Sequence, residues 1–239
     1  MAGTSETVSL SLFRFDAPSA RLWPFVQMAL ARWPLSRLPG LKFFKLCGTG
    51  TGEGFTPIPN TAVWTILCVW DTEETAHRTV ATAPVFARYH AHATESCTLF
   101  LRATSARGAW SRRTPFTPVA NLPPGPIAAL TRATVRPRAA LKFWNRAGPI
   151  SDVIGDNRDV IFKIGMGEVP WMQQVTFSIW PDLASMAAFA RADGPHARAV
   201  KAVRDGKWFR EELYARFRVL DRLGTWPGLS TIPEADRRS

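Results

Sequence analysis

The stretch from Phe162 to Leu220 reads FKIGMGEVPWMQQVTFSIWPDLASMAAFARADGPHARAVKAVRDGKWFREELYARFRVL. Its alternation of apolar and polar residues repeats a pattern that the chain already shows between Phe44 and Arg102. The second copy also carries His196, on the apolar side of a predicted helix, where the first copy has Val85. The repeat predicts the fold, and the histidine directs the search for a function.

The strands and helices predicted from hydrophobic periodicity follow one order in both halves of the chain. In the first half, strands are predicted at 8–15, 42–47, 60–70 and 97–102, and helices at 20–33, 71–83 and 85–93. In the second half, strands are predicted at 127–135, 159–164, 173–180 and 214–220, and helices at 138–145, from 182 and from 194. Each half therefore predicts the β-α-β-β-α-β order of a ferredoxin-like unit.

Short similar runs align the two halves. The run LFRF at 12–15 aligns with LTRA at 130–133, FKLCG at 44–48 with FKIGM at 162–166, and ILCVWD at 66–71 with FSIWPD at 177–182. The run GAW at 108–110 aligns with GTW at 224–226. These alignments match Arg14 with Arg132, and Arg102 with Arg218.

Two ferredoxin-like units in one chain can press the apolar faces of their sheets together. The predicted fold class is therefore α+β, with tandem duplicated ferredoxin-like units that form a dimeric-type α+β barrel within one chain. Space between the two sheets would then hold a bulky apolar ligand. The pattern leaves open the alternative of two separate ferredoxin-like domains.

The predicted boundaries follow from the repeat and from composition. Residues 1–105 form the first half, and residues 127–227 form the second half, which carries His196. Residues 106–126 are rich in proline and basic residues without periodicity, and predict a linker across the surface. Residues 228–239 are predicted to be a polar tail. Asp71 and Asp182 are each placed to cap a helix that follows a strand.

Composition limits the function. The 239 residues carry a formal net charge of +11, which favours an anionic partner such as nucleic acid, a lipid surface or an acidic protein. The first residues, MAGTSETVSL, lack the pattern of a signal peptide, and no apolar run is long enough to span a membrane. Ten Trp and fifteen Phe residues favour a wide apolar pocket. The isolated cysteines suggest neither disulfides nor a zinc site, and therefore a reducing cytoplasm: Cys47, Cys68 and Cys97.

His196 begins a predicted helix and shares its apolar face with Val200 and Val203. A position in the first turn disfavours protonation, because the helix dipole is positive there. A neutral imidazole is the form that binds a metal ion or haem iron, so His196 is the candidate metal ligand. The alternative is a histidine satisfied within the core. The other histidines are predicted at the surface: His77, His90 and His92.

Four arginines in predicted strands could bind haem propionates through their forked guanidinium groups. Arg132 and Arg218, in the half that carries His196, are the candidate cofactor-binding residues; an outward or salt-bridged arginine is the alternative for each. Cys47 could serve as a thiolate ligand, although a buried thiol is the commoner state. The run GTGTGEGF at 48–55 lacks the GK[ST] ending of a phosphate loop and predicts a loop over the cavity.

Four stretches resemble the spheroidene monooxygenase family, the acyclic carotenoid 2-ketolases of purple phototrophic bacteria: FKIGMGEVPWMQQVTFSIWPD, GPHARAVKAVRDGKWFREELYARFRVL, GTGTGEGFTPIPN and PIAALTRATV. The resemblance covers about residues 8–226, apart from the proline-rich linker. It implies oxygenation at the terminal C-2 methylene of acyclic carotenoids such as spheroidene, by successive hydroxylation and loss of water to give the 2-ketone. It also implies a haem cofactor, dioxygen and an external reductant such as a ferredoxin.

The residues are consistent with this reaction. Haem iron supplies the strong oxidant that an aliphatic C–H bond requires, and an aromatic cavity suits a long apolar substrate. Because such a substrate lies in the membrane, the basic surface is expected to dock on anionic lipid, which predicts a cytoplasmic protein at the periphery of the inner or photosynthetic membrane. The same surface suits an acidic ferredoxin. Candidate lining residues, equally suited to a plain core, are Trp64, Trp171 and Phe177.

Other functions remain open from the sequence. One is a related barrel enzyme, a cofactor-free monooxygenase or a haem dehydratase, acting on a different apolar substrate. Another is a non-enzymatic haem carrier. A third is an RNA-binding module, which ferredoxin-like sheets with exposed aromatic residues can form. The chain lacks the K/R-G-F/Y-G/A-F-V-x-F/Y stretch of such modules, so no nucleic-acid partner is predicted.

Overall fold

The structure, a computed structural model, describes residues 5–51, 58–144, 159–191 and 208–235. Within these residues the strands are β1 (Thr7–Arg14), β2 (Leu41–Gly50), β3 (Pro59–Trp70), β4 (Glu95–Gly108), β5 (Ile127–Val135), β6 (Phe162–Gly167), β7 (Gln173–Trp180) and β8 (Phe209–Gly224). The helices are α1 (Leu22–Leu30), α2 (Arg32–Leu35), α3 (Glu73–Thr82), α4 (Pro84–His92) and α5 (Leu183–Arg191). A 3-10 turn at Pro137–Ala139 leads into a helical segment at 140–144.

The strands close into an antiparallel barrel with the neighbour order β1-β3-β2-β6-β7-β5-β8-β4. Within the halves, β1 pairs with β3 and β4, and β5 pairs with β7 and β8. Two further ladders, β2 with β6 and β4 with β8, join the halves. The prediction of tandem ferredoxin-like units in a dimeric-type α+β barrel is confirmed, and the alternative of two separate domains is wrong.

A pseudo-twofold axis relates the two halves and passes through the ladders that join them. In the β4–β8 ladder Arg102 lies opposite Arg218, and the register shifts at Thr104 on one strand and at Leu220 on the other. The alignment that matches the two arginines also matches these two bulge residues. Equivalent bulges on both sides of one residue pair are what a twofold axis through that pair requires.

The barrel register corrects two of the sequence alignments by one residue. Leu12 pairs with Thr65, and its equivalent Leu130 pairs with Phe177. Phe177 therefore corresponds to Thr65, and not to Ile66 as the sequence alignment has it. The alignment of FKLCG in β2 with FKIGM in β6 differs from the strand register by one residue in the same way. A shift of one residue exchanges the two faces of a strand. The register is therefore needed to tell which side chains point into the barrel.

Apolar side chains fill the barrel interior. Leu10, Leu130, Phe177 and Phe217 each belong to this core and are at most 1% exposed. A barrel of this strand number has an interior just wide enough for its own side chains or for one small ligand. Because buried side chains occupy the described interior, the predicted space for a bulky ligand between the two sheets is not found there, and room for a ligand has to be sought outside the barrel wall.

The segments that follow β4 and β8 add to the same core. Trp110 and Phe116 are buried in it, and the Phe116 ring meets Phe217 edge-on with ring centroids 5.0 Å apart. Trp226 and Ile232 are buried in the core in the same way after β8. The predicted surface linker is wrong at Trp110 and Phe116, and the predicted polar tail is wrong at Ile232, because these apolar side chains help to close the barrel.

The two predicted helix caps have different outcomes. The side chain of Thr72, rather than the predicted Asp71, caps α3, and its Oγ1 accepts a hydrogen bond from the backbone N–H of Thr75 at 3.1 Å. The Asp182 prediction is confirmed, because its Oδ1 accepts a hydrogen bond from the backbone N–H of Ser185 at 2.8 Å. A threonine and an aspartate are both good acceptors at this position, so the sequence alone did not separate Asp71 from its neighbour.

Helix α1 forms where the sequence predicts it, but its orientation is unexpected. The segment packs against the barrel through Pro24, Ala31 and Leu35, which are buried. The apolar residues whose spacing predicted the helix lie on its exposed side: Leu22, Phe25, Val26 and Leu30. Because this segment is apolar on both sides, its periodicity predicts a helix without telling which face is covered.

Candidate functional site

One part of the outer face of the barrel carries larger side chains in the first half than in the second, although at the end of the same ladder Ile127 opposite Trp180 replaces the smaller pair Ser9 and Cys68. Phe13 lies opposite Trp64 in the β1–β3 ladder, whereas at the equivalent place Thr131 lies opposite Thr176 in the β5–β7 ladder. Further replacements follow the same pattern, with Ala133 in place of Phe15 and Ser178 in place of Ile66. We call five of the outward-facing residues of the second half, namely Thr131, Ala133, Thr176, Ser178 and Arg218, the second-half layer.

Burial follows this difference in size. In the first half, side chains of α4 such as Val85, Phe86 and Tyr89 pack onto the aromatic outer face of the sheet, and all of them are buried. In the second-half layer Thr131 and Thr176 are only partly buried. Replacing aromatic rings by threonine removes volume that the first half fills with its own side chains. The second-half layer is therefore a candidate place for a bound group.

Arg218 brings a positive charge to the second-half layer. Its Nη1 donates a hydrogen bond to the carbonyl oxygen of Pro126 at 3.3 Å, and within the described residues no carboxylate pairs with it. Burial lowers the pKa of the Arg218 guanidinium from its ordinary value. Its equivalent Arg102 does have a carboxylate partner, Glu73. Arg218 therefore has the charge to bind an anionic group at this face.

Arg132 lies on the other side of the barrel wall. Its Nη1 donates a hydrogen bond to Glu211 Oε2 at 2.6 Å, and its side chain is 1% exposed. The guanidinium lies over the Trp110 ring, 5.8 Å from the ring centroid. The structure does not bring Arg132 and Arg218 together, because one points into the barrel and the other points out of it.

The first half contains the same arrangement around Arg14. The Nε of Arg14 donates a hydrogen bond to Glu95 Oε2 at 2.8 Å, and the guanidinium lies 4.7 Å from the centroid of the Trp226 ring. Arg14 and Arg132 are equivalent by the duplication, and each stacks on a tryptophan that the other half contributes. This repetition favours a structural role for both arginines, which hold the two halves together.

The polar groups around Arg132 form a separate cleft of about 760 Å³. Arg112 and Arg210 line it together with Arg132 and Glu211. Glu211 also accepts hydrogen bonds from the backbone N–H groups of Ser111 and Arg112 at 3.0 and 2.7 Å. These contacts bind the carboxylate of Glu211 from several sides, so this cleft is organised around an ion pair of the protein.

His196, the candidate metal ligand, lies outside the described residues, and its predicted role stays a prediction. The sequence alignment of the two halves pairs it with Val85 of the first half. Val85, its equivalent, is 2% exposed and packs in the cluster that joins α4 to the outer face of the sheet. A histidine at the equivalent place of the second half is expected to face the second-half layer.

The other histidines are less exposed than the sequence predicts. His77 is partly buried, and its ring stacks on Phe100 with centroids 3.7 Å apart. His90 is partly buried as well, with Nδ1 3.0 Å from Ser96 Oγ. Burial lowers the pKa of both imidazoles. Surface placement is confirmed for His92, which is exposed, and is wrong for the other two.

A possible metal cluster forms around His77. The ligand atoms of Glu73, His77 and Asp221 lie within 4.8 Å of one another among the described residues. Burial, with a further contribution from the charge of Glu73, raises the pKa of Asp221 to about 6. Arg102 forms an ion pair with Glu73 and so supplies a positive charge next to this cluster. We therefore interpret these residues as a network of ion pairs within the protein and not as a metal site.

Cys47 is poorly suited to bind iron as a thiolate. It is buried in the barrel core, and burial, with a contribution from the charge of Glu168, raises the pKa of its thiol. The protonated form is therefore favoured, while a metal ligand needs the thiolate. This leaves His196 as the stronger of the two ligand candidates that the sequence offers.

An apolar cleft of about 440 Å³ opens outside the barrel where β2 meets β6. Phe25 from α1, Trp64 from β3 and Trp171 from the β6–β7 turn line it. Trp171 has a φ of 63°, which is rare for a large side chain and costs energy unless the surroundings hold it. Of the predicted lining residues, Trp64 and Trp171 lie here, whereas Phe177 lies in the barrel core.

The cleft leads towards the second-half layer along β7. Gln174 lines the cleft, and Thr176 is the next residue on the same face of this strand, about 7 Å further on. Gly48 and Gly50 also line the cleft, and they belong to β2 rather than to the loop that the glycine-rich run predicted. Residues 52–55, the end of that run, lie outside the described residues.

Comparison with known proteins places the chain in a family. No family model matches it. It is 53% identical over 232 residues to the spheroidene monooxygenase of Cereibacter sphaeroides, across 96% of this chain and 72% of that protein. It is 52% identical over 223 residues to the spheroidene monooxygenase of Rhodobacter capsulatus, across 92% of each chain. The enzyme of the same name from Rubrivivax gelatinosus is 35% identical over 212 residues, 89% of this chain and 82% of that one.

A solved structure supports the fold independently. Aldoxime dehydratase superposes with a TM-score of 0.66 over 95% of this chain and 87% of that one, at 9% identity, so the likeness concerns the fold alone. Within the described residues, no helix is long and apolar enough to cross a bilayer. More than half of the residues are identical to those of two spheroidene monooxygenases over nearly the whole chain, so the protein belongs to the spheroidene monooxygenase family and is a monooxygenase.

Proposed function

We propose that this protein is a haem-dependent monooxygenase that oxygenates C-2 of an acyclic carotenoid and converts a spheroidene-type methylene group into the ketone. The observation that carries the proposal is the contrast between the halves. The second-half layer has small side chains and an arginine that no carboxylate of the described residues pairs with, where the first half has aromatic rings at the equivalent positions. The names of the relatives supply the substrate class.

The residues of the second-half layer fit a haem. Val85, the equivalent of His196, is buried between helix and sheet, so an imidazole in that place would face the layer. Arg218 presents its charge on the same face and suits a propionate, which it can bind through two nitrogens. We therefore assign the iron to His196 and a propionate to Arg218. Arg132 faces the barrel interior and pairs with Glu211, which supports a structural role for it.

The chemistry needs an oxidant that the amino acids do not provide. Haem iron, given dioxygen and electrons, supplies one strong enough to replace a C–H bond with C–OH. Two rounds of hydroxylation at one methylene give a geminal diol, which loses water to form the ketone. Each round consumes one dioxygen, two electrons and two protons, and releases one water. The electrons have to come from an external reductant, and a ferredoxin is the candidate.

The apolar cleft suits one end of the substrate. Its volume of about 440 Å³ lies within the range of small-molecule sites and is lined mainly by aromatic and aliphatic residues. A long polyene would bind there by its terminal segment and leave the rest of its chain outside. Gln174 lines the cleft and precedes Thr176 on the same face of β7, so in this proposal the terminal C-2 approaches the second-half layer while Phe25 and Trp171 shield the chain from water.

The remaining partners follow from charge and substrate. A net charge of +11 attracts an acidic electron donor such as a ferredoxin and speeds its association. The same charge attracts anionic lipid, and the carotenoid is dissolved in a bilayer. We therefore place the protein in the cytoplasm, at the periphery of the inner or photosynthetic membrane.

The test is an absorption spectrum of the purified full chain, expressed with a haem supply, beside single variants. Wild type is expected to show a Soret band, and to convert spheroidene into the 2-ketone with dioxygen and reduced ferredoxin. His196→Ala is expected to lose or shift the band. Arg218→Met is expected to weaken haem binding about tenfold or more, because hydrogen bonds to charged groups are worth ~1.5–3 kcal/mol.

Two control variants separate these roles from general damage. His92→Ala removes an exposed histidine and should leave the spectrum unchanged. Arg132→Met should leave the Soret band of the folded fraction unchanged, since that side chain faces the barrel. A band that is unchanged in His196→Ala would move the ligand elsewhere, and a folded wild type without a band would overturn haem dependence. Bound haem without carotenoid turnover would favour a barrel enzyme for a different apolar substrate.

A further inference from the structure

Helices α1 and α2 present a stripe of large apolar side chains to solvent. Its members recur with the spacing of one helical face, and each is between 45% and 66% exposed: Leu22, Phe25, Val26, Leu30 and Trp33. We call these five residues the α1–α2 stripe. The other side of the same segment is buried against the barrel, so the segment is apolar towards water and towards the core alike.

An exposed stripe of this kind indicates a binding surface. Single apolar residues are common on protein surfaces and need no explanation, but a contiguous patch marks a place where another molecule binds. The members of the α1–α2 stripe follow one another on consecutive helical turns and therefore form one patch. The barrel core does not use them, because its contacts with this segment are made through the buried side of the helices.

The charges around the stripe select an anionic partner. From residue 17 to residue 52 the sequence contains five basic residues and no Asp or Glu; two of the five, Lys42 and Lys45, pair with Glu6 and Glu168, which leaves three arginines. Arg32 and Arg37 are exposed near the end of the stripe, and the guanidinium of Arg37 lies 3.8 Å from the centroid of the Trp33 ring. Aromatic and aliphatic residues flanked by arginine are typical of helices that lie in the interface of an anionic membrane.

The stripe adjoins the mouth of the apolar cleft. Phe25 belongs to both, and its ring lies 6.3 Å from the Trp64 ring inside the cleft. Trp171, which is 57% exposed, also lines the cleft. With the stripe in a bilayer, an apolar molecule dissolved in that bilayer could enter the cleft without passing through water. Cleft and stripe together therefore favour lipid over an acidic protein as the occupant.

We propose that the α1–α2 stripe docks this protein on an anionic lipid bilayer, with Leu22, Val26 and Leu30 inserted below the headgroups and the mouth of the cleft open to the lipid. The inference rests on the proposed function for the apolar substrate, which makes an opening towards lipid useful. Docking itself does not depend on the reaction. The two can therefore be tested apart.

The test is co-sedimentation of the full chain with vesicles of mixed phosphatidylcholine and phosphatidylglycerol. Wild type is expected to bind, and to bind less well when phosphatidylglycerol is left out or salt is raised. Leu22→Asp and Leu30→Asp, which do not line the cleft, should each weaken binding about tenfold or more, because a leucine that was buried in lipid is replaced by a charge. The matched control is Leu183→Asp on α5, at a leucine that is 52% exposed.

Quenching by brominated lipids gives the depth of insertion. Trp33 is one of ten tryptophans, so the quenching that disappears in Trp33→Phe reports this residue. Bromine atoms placed near the headgroup end of the acyl chain are expected to quench it most, since an interfacial helix reaches only about 5–10 Å into the bilayer. Equal quenching of wild type and Trp33→Phe would overturn the proposal.

A defect in membrane docking and a defect in catalysis have different effects on activity and on vesicle binding. Leu30→Asp should match wild type when the carotenoid is supplied in detergent micelles, and should fall behind when it is embedded in vesicles. Vesicle binding that survives both aspartate variants would overturn the docking proposal even in an active enzyme. Vesicle binding in a protein that never converts carotenoid would count against the proposed function and leave docking intact. A dimer that Leu30→Asp dissociates, without vesicle binding by wild type, would identify the stripe as a self-association surface and overturn the proposal.

Discussion

Arg102 and Arg218 lie opposite each other in the β4–β8 ladder, on the pseudo-twofold axis of the barrel, and yet their side chains have different partners. Arg102 forms an ion pair with Glu73 and donates a hydrogen bond to Thr7 Oγ1 at 3.4 Å. Arg218 donates to the carbonyl oxygen of Pro126, and no carboxylate among the described residues neutralises it. Within the described part of the chain, the duplication therefore keeps the arginine in both halves and a carboxylate partner in the first half alone.

The equivalent ion pairs inside the two halves should differ in their contribution to stability. Glu211→Gln would leave Arg132, 1% exposed, as an unpaired buried charge. Loss of one partner of a buried pair costs about 3–5 kcal/mol, so the free energy of unfolding in urea should fall by about 3 kcal/mol. Glu95→Gln breaks the equivalent pair, whose side chains are 32% and 26% exposed, and should cost about 1 kcal/mol or less. Equal losses would contradict this ranking.

Two equivalent glycines should tolerate no side chain. Gly108 has a φ of 101° and Gly224 a φ of 89°, and a Cβ at either would lie closer than 3 Å to a backbone carbonyl oxygen of the paired strand. Gly108→Ala and Gly224→Ala are each expected to lower the free energy of unfolding by about 2–4 kcal/mol, from the strained φ and the clash together. Gly48→Ala is the control, because its Cβ would meet the Trp64 ring at an ordinary 3.5 Å. Thermal or urea unfolding measures all three.

The sequence predicts the fold well because the repeat is strong in the first and the last strand of each half. The alignments of Arg14 with Arg132 and of Arg102 with Arg218 agree with the barrel register. Strand β3 is apolar on both faces, so hydrophobicity does not fix which of its residues match those of β7, and the sequence alignment of these strands differs from the register by one residue. Only the pairing with β1 and β5 fixes which face points inward.

Less of the candidate site than of the fold could be predicted from the sequence. Whether Arg132 and Arg218 point into the barrel or out of it depends on the strand register and on the bulges, and neither can be recognised from the residue types alone. The contrast between Phe13 and Thr131 was visible in the aligned runs LFRF and LTRA, and could have pointed to the second-half layer. The exposed stripe of α1 could not be recognised, because a helix that is apolar on both sides gives the same pattern as a buried one.

Asp221 should make stability depend on pH in a defined direction. Its pKa is raised to about 6, chiefly by burial and then by the charge of Glu73, so the folded chain binds this proton more tightly than the unfolded chain does. The free energy of unfolding therefore decreases, through this group, as pH rises from about 4 to about 6. Asp221→Asn should match wild type near pH 4 and exceed it by about 1–2 kcal/mol at pH 8, after a discount for solvent screening.

Asp182 provides the opposite control for this pH dependence. Its hydrogen bond from the backbone N–H of Ser185 lowers the pKa of the Asp182 carboxyl, so it stabilises the fold as the carboxylate and loses that effect as pH falls. Asp182→Asn should therefore be less stable than wild type at pH 8, whereas Asp221→Asn should be more stable. Urea unfolding at a series of pH values measures both, and a shift of the same sign in the two variants would contradict the assignment.

Narrowing the apolar cleft should impair turnover while leaving the fold intact. Gly48 lines the cleft on β2, and a Cβ there would meet the Trp64 ring at an ordinary contact distance. Gly48→Val places a branched side chain in the cleft, and should lower kcat/KM for the carotenoid about tenfold or more, because lost apolar contacts are worth ~1–3 kcal/mol. Gly48→Ala should be nearly normal. If Gly48→Val were as active as Gly48→Ala, the substrate would bind elsewhere.

The second-half layer can be tested by giving it the composition of the first half. Thr131 occupies the place of Phe13, which is buried without strain opposite Trp64. Thr131→Phe should fill the layer, abolish the Soret band and leave the free energy of unfolding unchanged or higher, because the added ring buries apolar surface. Thr131→Val is the matched control, since it keeps the volume and removes only the hydroxyl group.

The two Thr131 variants separate volume from hydrogen bonding. If the room in the layer matters, Thr131→Val retains the Soret band and Thr131→Phe loses it. If the hydroxyl matters, both variants lose it. A folded Thr131→Phe protein that binds haem as wild type does would show that the smaller side chains of the second half serve another purpose, since a phenyl ring and a porphyrin cannot occupy one space between sheet and helix. Haem titration of the purified apoproteins, followed by the Soret absorbance, distinguishes these outcomes.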